Sequence, residues 1–319
     1  MEIAMLVNPF TDRNLQLAAQ VGVTEVVVNY PGLELSTLID QKRRVEAFGM
    51  RMTVIERKLP HLKIVHNLDG RDTQVENIRI LLQNMAEAGM KVLCYNWMPD
   101  EDWQRTSIDQ AERGGARVTA FDLSRIGNSN LTDAEGQPDS FTPASLLWDN
   151  LEHFLNDILP TAEDCGIKLA LHPDDPPLTH LRGQDRIITG NKSLERVITL
   201  APSPNNGICY CQGALAPAGE DVQSGIRKLA PHIHFAHFRN VSGTTDNFRE
   251  TFHDNGDLDM ATLMRTYMEV GFKGPIRPDH APSMAGETNE TPGYEVLGKL
   301  HAVGYMKGLI DGVGKLTFS

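Results

Sequence analysis

The sequence predicts a single α/β domain folded as a (β/α)8 TIM barrel. Three observations lead to this prediction: short β-rich runs alternate with longer stretches of helical apolar spacing, the alternation recurs through the chain, and glycine often ends a helix just before the next strand. Parallel strands joined by helices form right-handed crossovers, and about eight such units close a barrel. The length of 319 residues suits one barrel with insertions.

The predicted strands are short, apolar and rich in β-branched residues, and each is followed by a predicted helix. The strands are Ile3 to Val7, Glu25 to Asn29, Arg51 to Glu56, Lys91 to Asn96, Lys168 to His172, Gly207 to Cys211, Ile233 to Phe238 and Pro275 to Asp279. The helices are Asp12 to Val21, Ser36 to Phe48, Thr73 to Ala88, Pro143 to Cys165, Lys192 to Leu200, Glu220 to Ala230, Asp259 to Val270 and Gly293 to Ile310. The alternative is a doubly wound open sheet. It would be favoured by a glycine-rich phosphate loop after the first strand, and residues 8–12 contain no glycine.

One long segment interrupts the alternation of strands and helices. Residues 97–142 are rich in Asp, Ser, Gly and Asn, with one extended piece predicted at Ala116 to Leu123. Loops of this length inside compact domains usually serve as functional lids, so we expect a flap inserted after the fourth strand, over the barrel mouth. A tolerated surface insertion is the alternative.

The charge balance limits the classes of partner. With 42 acidic and 30 basic residues the formal net charge is -12, which disfavours nucleic acid and membrane surfaces but allows an anionic small molecule in a locally cationic cleft. The first ten residues lack the basic region of a signal peptide, and no apolar stretch reaches spanning length. The four cysteines follow no disulfide pattern, so we expect a cytoplasmic protein with reduced thiols, and barrels of this size commonly pair as homodimers.

Catalytic groups of this fold stand at the C-terminal ends of the strands. The predicted strands end near polar or metal-binding residues, namely Asn8, Asn29, Glu56, Asn96, His172, Cys211, His237 and Asp279. Any one of the last four alone would most often be a core residue, but together they offer two imidazoles, a thiol and a carboxylate from consecutive strands. This set predicts a site for Zn²⁺, Fe²⁺, Co²⁺ or Mn²⁺, because Mg²⁺ and Ca²⁺ prefer oxygen ligands only.

Two arginines and a histidine lie next to these predicted ligands. Arg239 follows His237 by two residues, so its side chain points the same way and suits a substrate carboxylate. Arg277 and His280 flank Asp279 in the motif RPDH. We expect Arg277 to bind substrate, and a histidine beside a metal ligand can act as a general acid or base.

Four further residues are predicted to contact substrate. Glu56 and Asn96 stand at strand ends, Asp174 lies in HPDDPP and His253 opens HDNGDLDM. A rigid turn is the alternative for HPDDPP. In HDNGDLDM, either Asp257 or Asp259 is expected to cap the following helix.

Several motifs together resemble the mannonate dehydratase family of xylose-isomerase-like barrels. They are CYNWMPDEDWQRT from residue 94, HPDDPP from 172, CQG from 211, AHFR from 236, HDNGDLDM from 253, RPDH from 277 and TPGY from 291. The resemblance implies Mn²⁺ or Fe²⁺ held by a His, Cys, His, Asp set, which corresponds to His172, Cys211, His237 and Asp279. It also implies catalysis by His280 and Tyr294.

The implied reaction is dehydration of D-mannonate, or of a related aldonic acid, to a 2-keto-3-deoxy sugar acid. The chain departs from the family at residues 28–32, VNYPG, where the family carries a pair of histidines, and its middle insertion is shorter. A metal-dependent sugar isomerase or epimerase on the same barrel is the alternative activity. A sugar-acid sensor without catalysis is a third possibility, which retention of both His280 and Tyr294 disfavours.

Overall fold

The computed structural model describes residues 1–100, 103–127 and 141–317, without the side chains of residues 315–317. Its strands are β1 (Glu2–Leu6), β2 (Glu25–Val28), β3 (Arg51–Ile55), β4 (Val92–Asn96), β5 (Ser107–Ala111), β6 (Arg117–Asp122), β7 (Lys168–His172), β8 (His180–Leu181), β9 (Gln184–Asp185), β10 (Ile208–Cys211), β11 (Ile233–His237), β12 (Val241–Thr244), β13 (Asn247–Glu250) and β14 (Pro275–Arg277). Its helices are α1 (Asp12–Gln20), α2 (Leu35–Glu46), α3 (Leu62–Val65), α4 (Arg71–Glu87), α5 (Ala144–Cys165), α6 (Asn191–Leu200), α7 (Gln212–Leu215), α8 (Val222–Leu229), α9 (Met260–Glu269) and α10 (Val296–Thr317).

The predicted (β/α)8 barrel is confirmed. Parallel strands close in the order β1, β2, β3, β4, β7, β10, β11, β14, and β14 pairs with β1. The register places Asn96 opposite His172 and Cys211 opposite His237. Because neighbouring strands end at the same level, their last side chains meet at one end of the barrel.

Small and medium-sized apolar side chains fill the barrel interior, while a larger cluster packs the helices against the strands. Cys209 is fully buried in the interior group, as expected for the deeper of the two cysteines on β10. Among the described residues, no helix combines the length and apolar character needed to cross a bilayer.

Local signals set several helix boundaries. Gly166 adopts a left-handed conformation (φ 66°) at the end of α5, where glycine was expected. Asp259 is the N-cap of α9, because its side chain accepts a hydrogen bond from the backbone N–H of Thr262. This contact decides between the two aspartates that the sequence offered as caps.

Two of the boundaries that differ from the predicted ones place site residues in loops. Strand β14 stops at Arg277, since Pro278 has no N–H with which to continue the ladder. The last helix begins at Val296 and not at Gly293, whose φ of 78° is incompatible with a helix. Asp279 and Tyr294 therefore lie in loops.

The long insertion contributes to a second sheet. Strands β5 and β6 pair antiparallel, and β6 pairs with β13 of a hairpin that follows β11, giving the order β12, β13, β6, β5. The predicted extended piece corresponds to β6, whereas β5 and the hairpin were not predicted. Residues 101–102 and 128–140 of the expected flap lie outside the described residues, and the flap interpretation of residues 97–142 stays a prediction.

Candidate active site and metal centre

The predicted metal ligands meet above the barrel interior. One ligand atom from each of His172, Cys211, His237 and Asp279 lies within 4.8 Å of the others. Nε2 of His172 is 3.1 Å from Nδ1 of His237, and Sγ of Cys211 is 3.6 Å from Oδ2 of Asp279. His172 is half-buried and the other three are buried. The structure thus brings together the set that strand-end position predicted.

The hydrogen bonds of the two imidazoles are those expected if both rings bound one cation. Nδ1 of His172 lies 2.6 Å from the carbonyl oxygen of Pro173, so this nitrogen carries the proton. Nε2 of His237 lies 3.2 Å from Oε1 of Glu56, which likewise makes it the protonated nitrogen. The two remaining nitrogens then point lone pairs at each other across 3.1 Å, an arrangement that a bound metal ion would stabilise.

Arg277 also approaches Nε2 of His237, at 3.1 Å from its own Nε. The same Nε–H group lies closer to a carboxylate, 2.8 Å from Oε2 of Glu56, which is the stronger acceptor. We therefore assign the Arg277 proton to Glu56 and keep the proton on Nε2 of His237.

The electrostatics of the cluster suit a divalent transition metal. Burial raises the pKa of the Cys211 thiol well above its ordinary range, so a metal ion must displace its proton. Burial also acts to raise the pKa of Asp279, but His280, Arg277 and His237 hold it well below its usual value. One thiol, two imidazoles and one ionised carboxylate match the ligands of such a metal.

Arg277 and Glu56, both predicted to bind substrate, form a buried pair. Arg277 donates through Nε and NH2 to the two carboxylate oxygens of Glu56, at 2.8 and 2.7 Å. Its NH2 group also lies 2.9 Å from Oδ1 of Asp279. In the described structure Glu56 lines the cavity, whereas Arg277 lies behind it and holds Asp279.

The two predicted catalytic residues are hydrogen-bonded to each other. Nε2 of His280 lies 2.7 Å from the hydroxyl of Tyr294, and Nδ1 of His280 contacts Oε1 of Glu250. The turn that carries Tyr294 requires Gly293, where a Cβ atom would lie 3.2 Å from Cγ of His280. The indole ring of Trp103 lies over His280, with centroids 4.5 Å apart. The Glu250 carboxylate, the His280 imidazole and the Tyr294 phenol thus form one chain of hydrogen bonds.

Arg239 lies inside a buried network of charges. Its NH1 group is 2.9 Å from Oδ2 of Asp175 and 3.0 Å from Oδ2 of Asp279. Asp175 also pairs with NH1 and NH2 of Arg105, at 2.8 and 2.9 Å. Arg239 does not line the cavity in the described structure, so its guanidinium holds carboxylates of the protein where a substrate carboxylate was expected.

Of the remaining residues predicted to contact substrate, one lines the cavity and two do not. Asn96 lines the cavity. Asp174 and His253 do not, among the described residues: Asp174 accepts a 2.9 Å hydrogen bond from the backbone N–H of Ile188, and His253 is fully buried, which lowers its pKa to about 4. Asp174 therefore joins two distant backbone segments, and its predicted contact with substrate stays a prediction.

One cavity at this end of the barrel is partly open to solvent, and its lining includes Glu56, Asn96, His172, Asp279, His280 and Tyr294. Arg57, which was not predicted, lines it, and its guanidinium lies 4.0 Å from the ring centroid of Tyr294. The φ of Arg57 is 68°, in the left-handed region that favours glycine. Such conformations concentrate at functional sites. Its position directly after Glu56 was the signal that could have identified it.

Sequence reasoning also missed Trp103, Arg105 and Glu250. Trp103 and Arg105 fall in the motif CYNWMPDEDWQRT, and Arg105 pairs with Asp175, which the HPDDPP motif had offered together with Asp174 as a residue that could orient a ligand. Glu250 lies on a hairpin strand within no motif. Only its contact with His280 identifies it.

The fold and this site define a class of protein: a (β/α)8-barrel enzyme with an imidazole and a phenol positioned for acid–base chemistry beside a candidate metal centre. A family model described as D-mannonate dehydratase (UxuA) matches residues 11–135 and 141–319. The chain belongs to this family, whose members are hydro-lyases.

Similar proteins agree with this assignment. Mannonate dehydratase of Streptococcus equi subsp. zooepidemicus is 33% identical over 91% of this chain and 87% of that protein. Mannonate dehydratase of Oceanobacillus iheyensis is 35% identical over 85% of this chain and 84% of that protein. A crystal structure of mannonate dehydratase from Streptococcus suis serotype 2 gives a TM-score of 0.91 at 31% identity, covering 100% of this chain and 96% of that chain.

More distant structures share the fold alone. The 3-keto-D-glucoside 4-epimerase of E. coli gives a TM-score of 0.63 at 14% identity, covering 97% of this chain and 99% of that chain. Because one barrel supports many reactions, this likeness does not favour epimerisation over dehydration.

Proposed function

We propose that the protein dehydrates D-mannonate to a 2-keto-3-deoxy sugar acid. The observation that carries the proposal is the 2.7 Å hydrogen bond between His280 and Tyr294, in the wall of the cavity that His172 and Asp279 also line. Membership of the D-mannonate dehydratase family supports the substrate.

The reaction makes two demands on the site. The C2–H bond, next to the carboxylate, must break, and its electron pair must form a C2=C3 double bond while the C3–O bond breaks and the hydroxyl leaves as water. The resulting enol then becomes the 2-keto acid when its C2 hydroxyl loses a proton and C3 gains one. One group must accept the C2 proton and another must donate a proton to the leaving hydroxyl.

His280 and Tyr294 are the pair that we assign to these two proton transfers. Both are buried in the cavity wall, and their hydrogen bond allows a proton to pass between Nε2 and the phenol oxygen. Trp103 covers the imidazole and excludes water from it. Arg57, in the same wall, supplies a positive charge for the substrate carboxylate.

We further propose Mn²⁺ or Fe²⁺ as the resident ion, held by His172, Cys211, His237 and Asp279. When bound, the ion acts as a Lewis acid for the negative charge that develops next to the substrate carboxylate. The cytoplasmic location and the homodimer expected from the sequence stay predictions.

The test is to incubate D-mannonate with protein loaded with Mn²⁺ or Fe²⁺ and to measure the product mass. A product lighter by one water supports dehydration, whereas a product of unchanged mass indicates isomerisation or epimerisation and contradicts the proposal. His280→Asn and Tyr294→Phe should each lower kcat by about 10²-fold or more while the metal stays bound. Full turnover by either variant would show that the residue has no such role.

A further inference from the structure

We propose that Glu250 is a positioning residue that holds His280 in the tautomer whose Nε2 faces Tyr294. Glu250 ends strand β13 of the second sheet, outside the barrel strands and outside every motif that indicated the family. The inference rests on the proposed function for its catalytic meaning, although the tautomer itself can be tested separately.

The geometry is a continuous line of buried polar groups. Oε1 of Glu250 contacts Nδ1 of His280, and Nε2 on the far side of the ring is 2.7 Å from the Tyr294 hydroxyl. The three residues are 1, 2 and 4% exposed, so little water competes for these hydrogen bonds.

Glu250 is an acceptor in this line because it is ionised. Its Oε1 lies 2.6 Å from NH2 of Arg105 and 3.4 Å from NH1 of Arg239. Burial alone would raise the pKa of Glu250, but His280, Arg105 and Arg239 together lower it to about 2. An ionised carboxylate can only accept, so Nδ1 of His280 carries a proton in either charge state of the ring.

Arg239 offers an alternative donor to the ring, since its NH1 is 3.0 Å from Nδ1 of His280. That group lies equally close to acceptors of full negative charge, 2.9 Å from Asp175 and 3.0 Å from Asp279. A bare Nδ1 lone pair in contact with the Glu250 carboxylate would be repelled. We therefore place the two NH1 protons of Arg239 on Asp175 and Asp279, and the ring proton on Nδ1 of His280.

This tautomer prepares the catalytic pair. With Nδ1–H donated to Glu250, Nε2 presents its lone pair to the Tyr294 hydroxyl. The O–H bond of Tyr294 can break as an N–H bond forms on Nε2, leaving a phenolate beside an imidazolium that Glu250 stabilises. In the opposite tautomer Nε2 would already hold its proton and could not accept this one.

Arg105 makes the arrangement sensitive to the kind of side chain at position 250. Its NH2 group donates to Oε1 of Glu250, so that position must hold an oxygen. In Glu250→Gln the amide oxygen would occupy it, and the glutamine would still accept Nδ1–H without the charge. In Glu250→Ala nothing accepts Nδ1–H at that place. The two variants separate tautomer control from charge.

The experiment compares wild type with both variants, using D-mannonate and Mn²⁺-loaded protein. Glu112→Gln is the matched control, because Glu112 is a buried carboxylate of the same sheet region that binds Arg249 and Asn255, away from His280. The measurements are kcat, KM, bound Mn²⁺ and, in metal-free ¹⁵N-histidine-labelled protein, the protonated ring nitrogen of His280. His280→Asn assigns that signal by its disappearance.

We expect Glu250→Ala to lose about 10²-fold or more in kcat and Glu250→Gln about 10-fold, with KM within about threefold and Mn²⁺ retained. Wild type and Glu250→Gln should show Nδ1–H, Glu250→Ala should show Nε2–H or a mixture, and Glu112→Gln should behave as wild type. If Glu250→Ala does not fold, the kcat of Glu250→Gln and the tautomer of His280 in the wild type still test the proposal.

The proposal is overturned if His280 of the wild type carries its proton on Nε2 alone, or if Glu250→Ala keeps full kcat. Equal losses in the two variants, or losses that follow loss of Mn²⁺, would also overturn it, because they indicate a charge or a structural role. Absence of dehydration by the wild type contradicts the proposed function instead, while the ¹⁵N measurement still tests the contact between Glu250 and His280.

Discussion

Oε1 of Glu56 lies 3.2 Å from Nε2 of His237, so a carboxylate directly after one barrel strand orients a candidate metal ligand at the end of another. Arg277 in turn holds Glu56 through two hydrogen bonds of 2.7 and 2.8 Å. A carboxylate on the distal nitrogen of a histidine ligand fixes the ring orientation and increases the basicity of the nitrogen that binds the metal.

Replacing Glu56 should therefore weaken metal binding before it affects the fold. We expect Glu56→Gln to raise the Kd for Mn²⁺ by about 10- to 100-fold, measured by titration calorimetry. Glu25→Gln is the control, since Glu25 is also buried but hydrogen-bonds Thr53 at the opposite end of the barrel. Wild-type affinity in Glu56→Gln would contradict the role assigned to this carboxylate.

Arg57 is the arginine that we expect to bind the substrate carboxylate. Arg57→Ala should raise KM for D-mannonate by about 10-fold or more, because a charge-assisted hydrogen bond is lost. Steady-state kinetics measure the change, and Arg44→Ala, which removes an arginine paired with Asp12 away from the cavity, should leave KM unchanged. If Arg57→Ala kept the wild-type KM, a residue other than Arg57 would bind the substrate carboxylate.

We expect Asp175 to contribute mainly to the free energy of unfolding. Burial acts to raise its pKa, yet Arg105 and Arg239 hold the pKa far below its ordinary range. Asp175→Asn would leave these two buried guanidinium groups short of a negative charge, and we expect it to lower the free energy of unfolding by about 3 to 5 kcal/mol. Urea unfolding at neutral pH measures this, and a loss below about 1 kcal/mol would disprove the assignment.

Lys299 should make stability depend on pH. Its ammonium group is buried, 3.0 Å from the carbonyl oxygen of Leu6, and burial followed by repulsion from Arg277 and Arg57 lowers its pKa to about 7. Above pH 7 the folded protein therefore releases this proton while the unfolded chain keeps it until about pH 10. Because the unfolded state then binds more protons, this group makes stability rise with pH across that window.

The variant Lys299→Met should lack this rise. Between pH 7 and pH 10 we expect the free energy of unfolding of the wild type to rise relative to that of Lys299→Met. Urea unfolding of both proteins at each pH measures this. Lys228→Met, at an exposed lysine paired with Glu195, serves as the control. If the stabilities of Lys299→Met and wild type changed in parallel with pH, the lowered pKa of Lys299 would be refuted.

The barrel and the ligand cluster were predictable because both depend on local sequence. Alternating strand and helix patterns define the βα units, and parallel pairing brings the strand ends to one face. His172, Cys211 and His237 each end a strand, so their convergence follows from the strand assignment alone. Asp279 lies two residues beyond its strand and still reaches the cluster.

Contacts between distant segments were not predictable in the same way. Arg239 has the spacing of a site residue, but its guanidinium binds Asp175 and Asp279, and only the packing of the strand-end loops shows this. Arg57 directly follows the predicted Glu56, but that position did not indicate the left-handed backbone conformation on which its exposure to the cavity depends.

Strand and helix periodicity, together with residue type at the strand ends, was enough to predict the (β/α)8 barrel and the cluster of four candidate metal ligands that the structure brings together. The partner of each catalytic group was decided in three dimensions. Glu250 reaches His280 because a hairpin after β11 pairs with the insertion after β4, more than a hundred residues earlier in the chain. Such pairing depends on long-range contacts that a linear pattern does not record, which is why the carboxylate behind His280 emerged only from the folded chain.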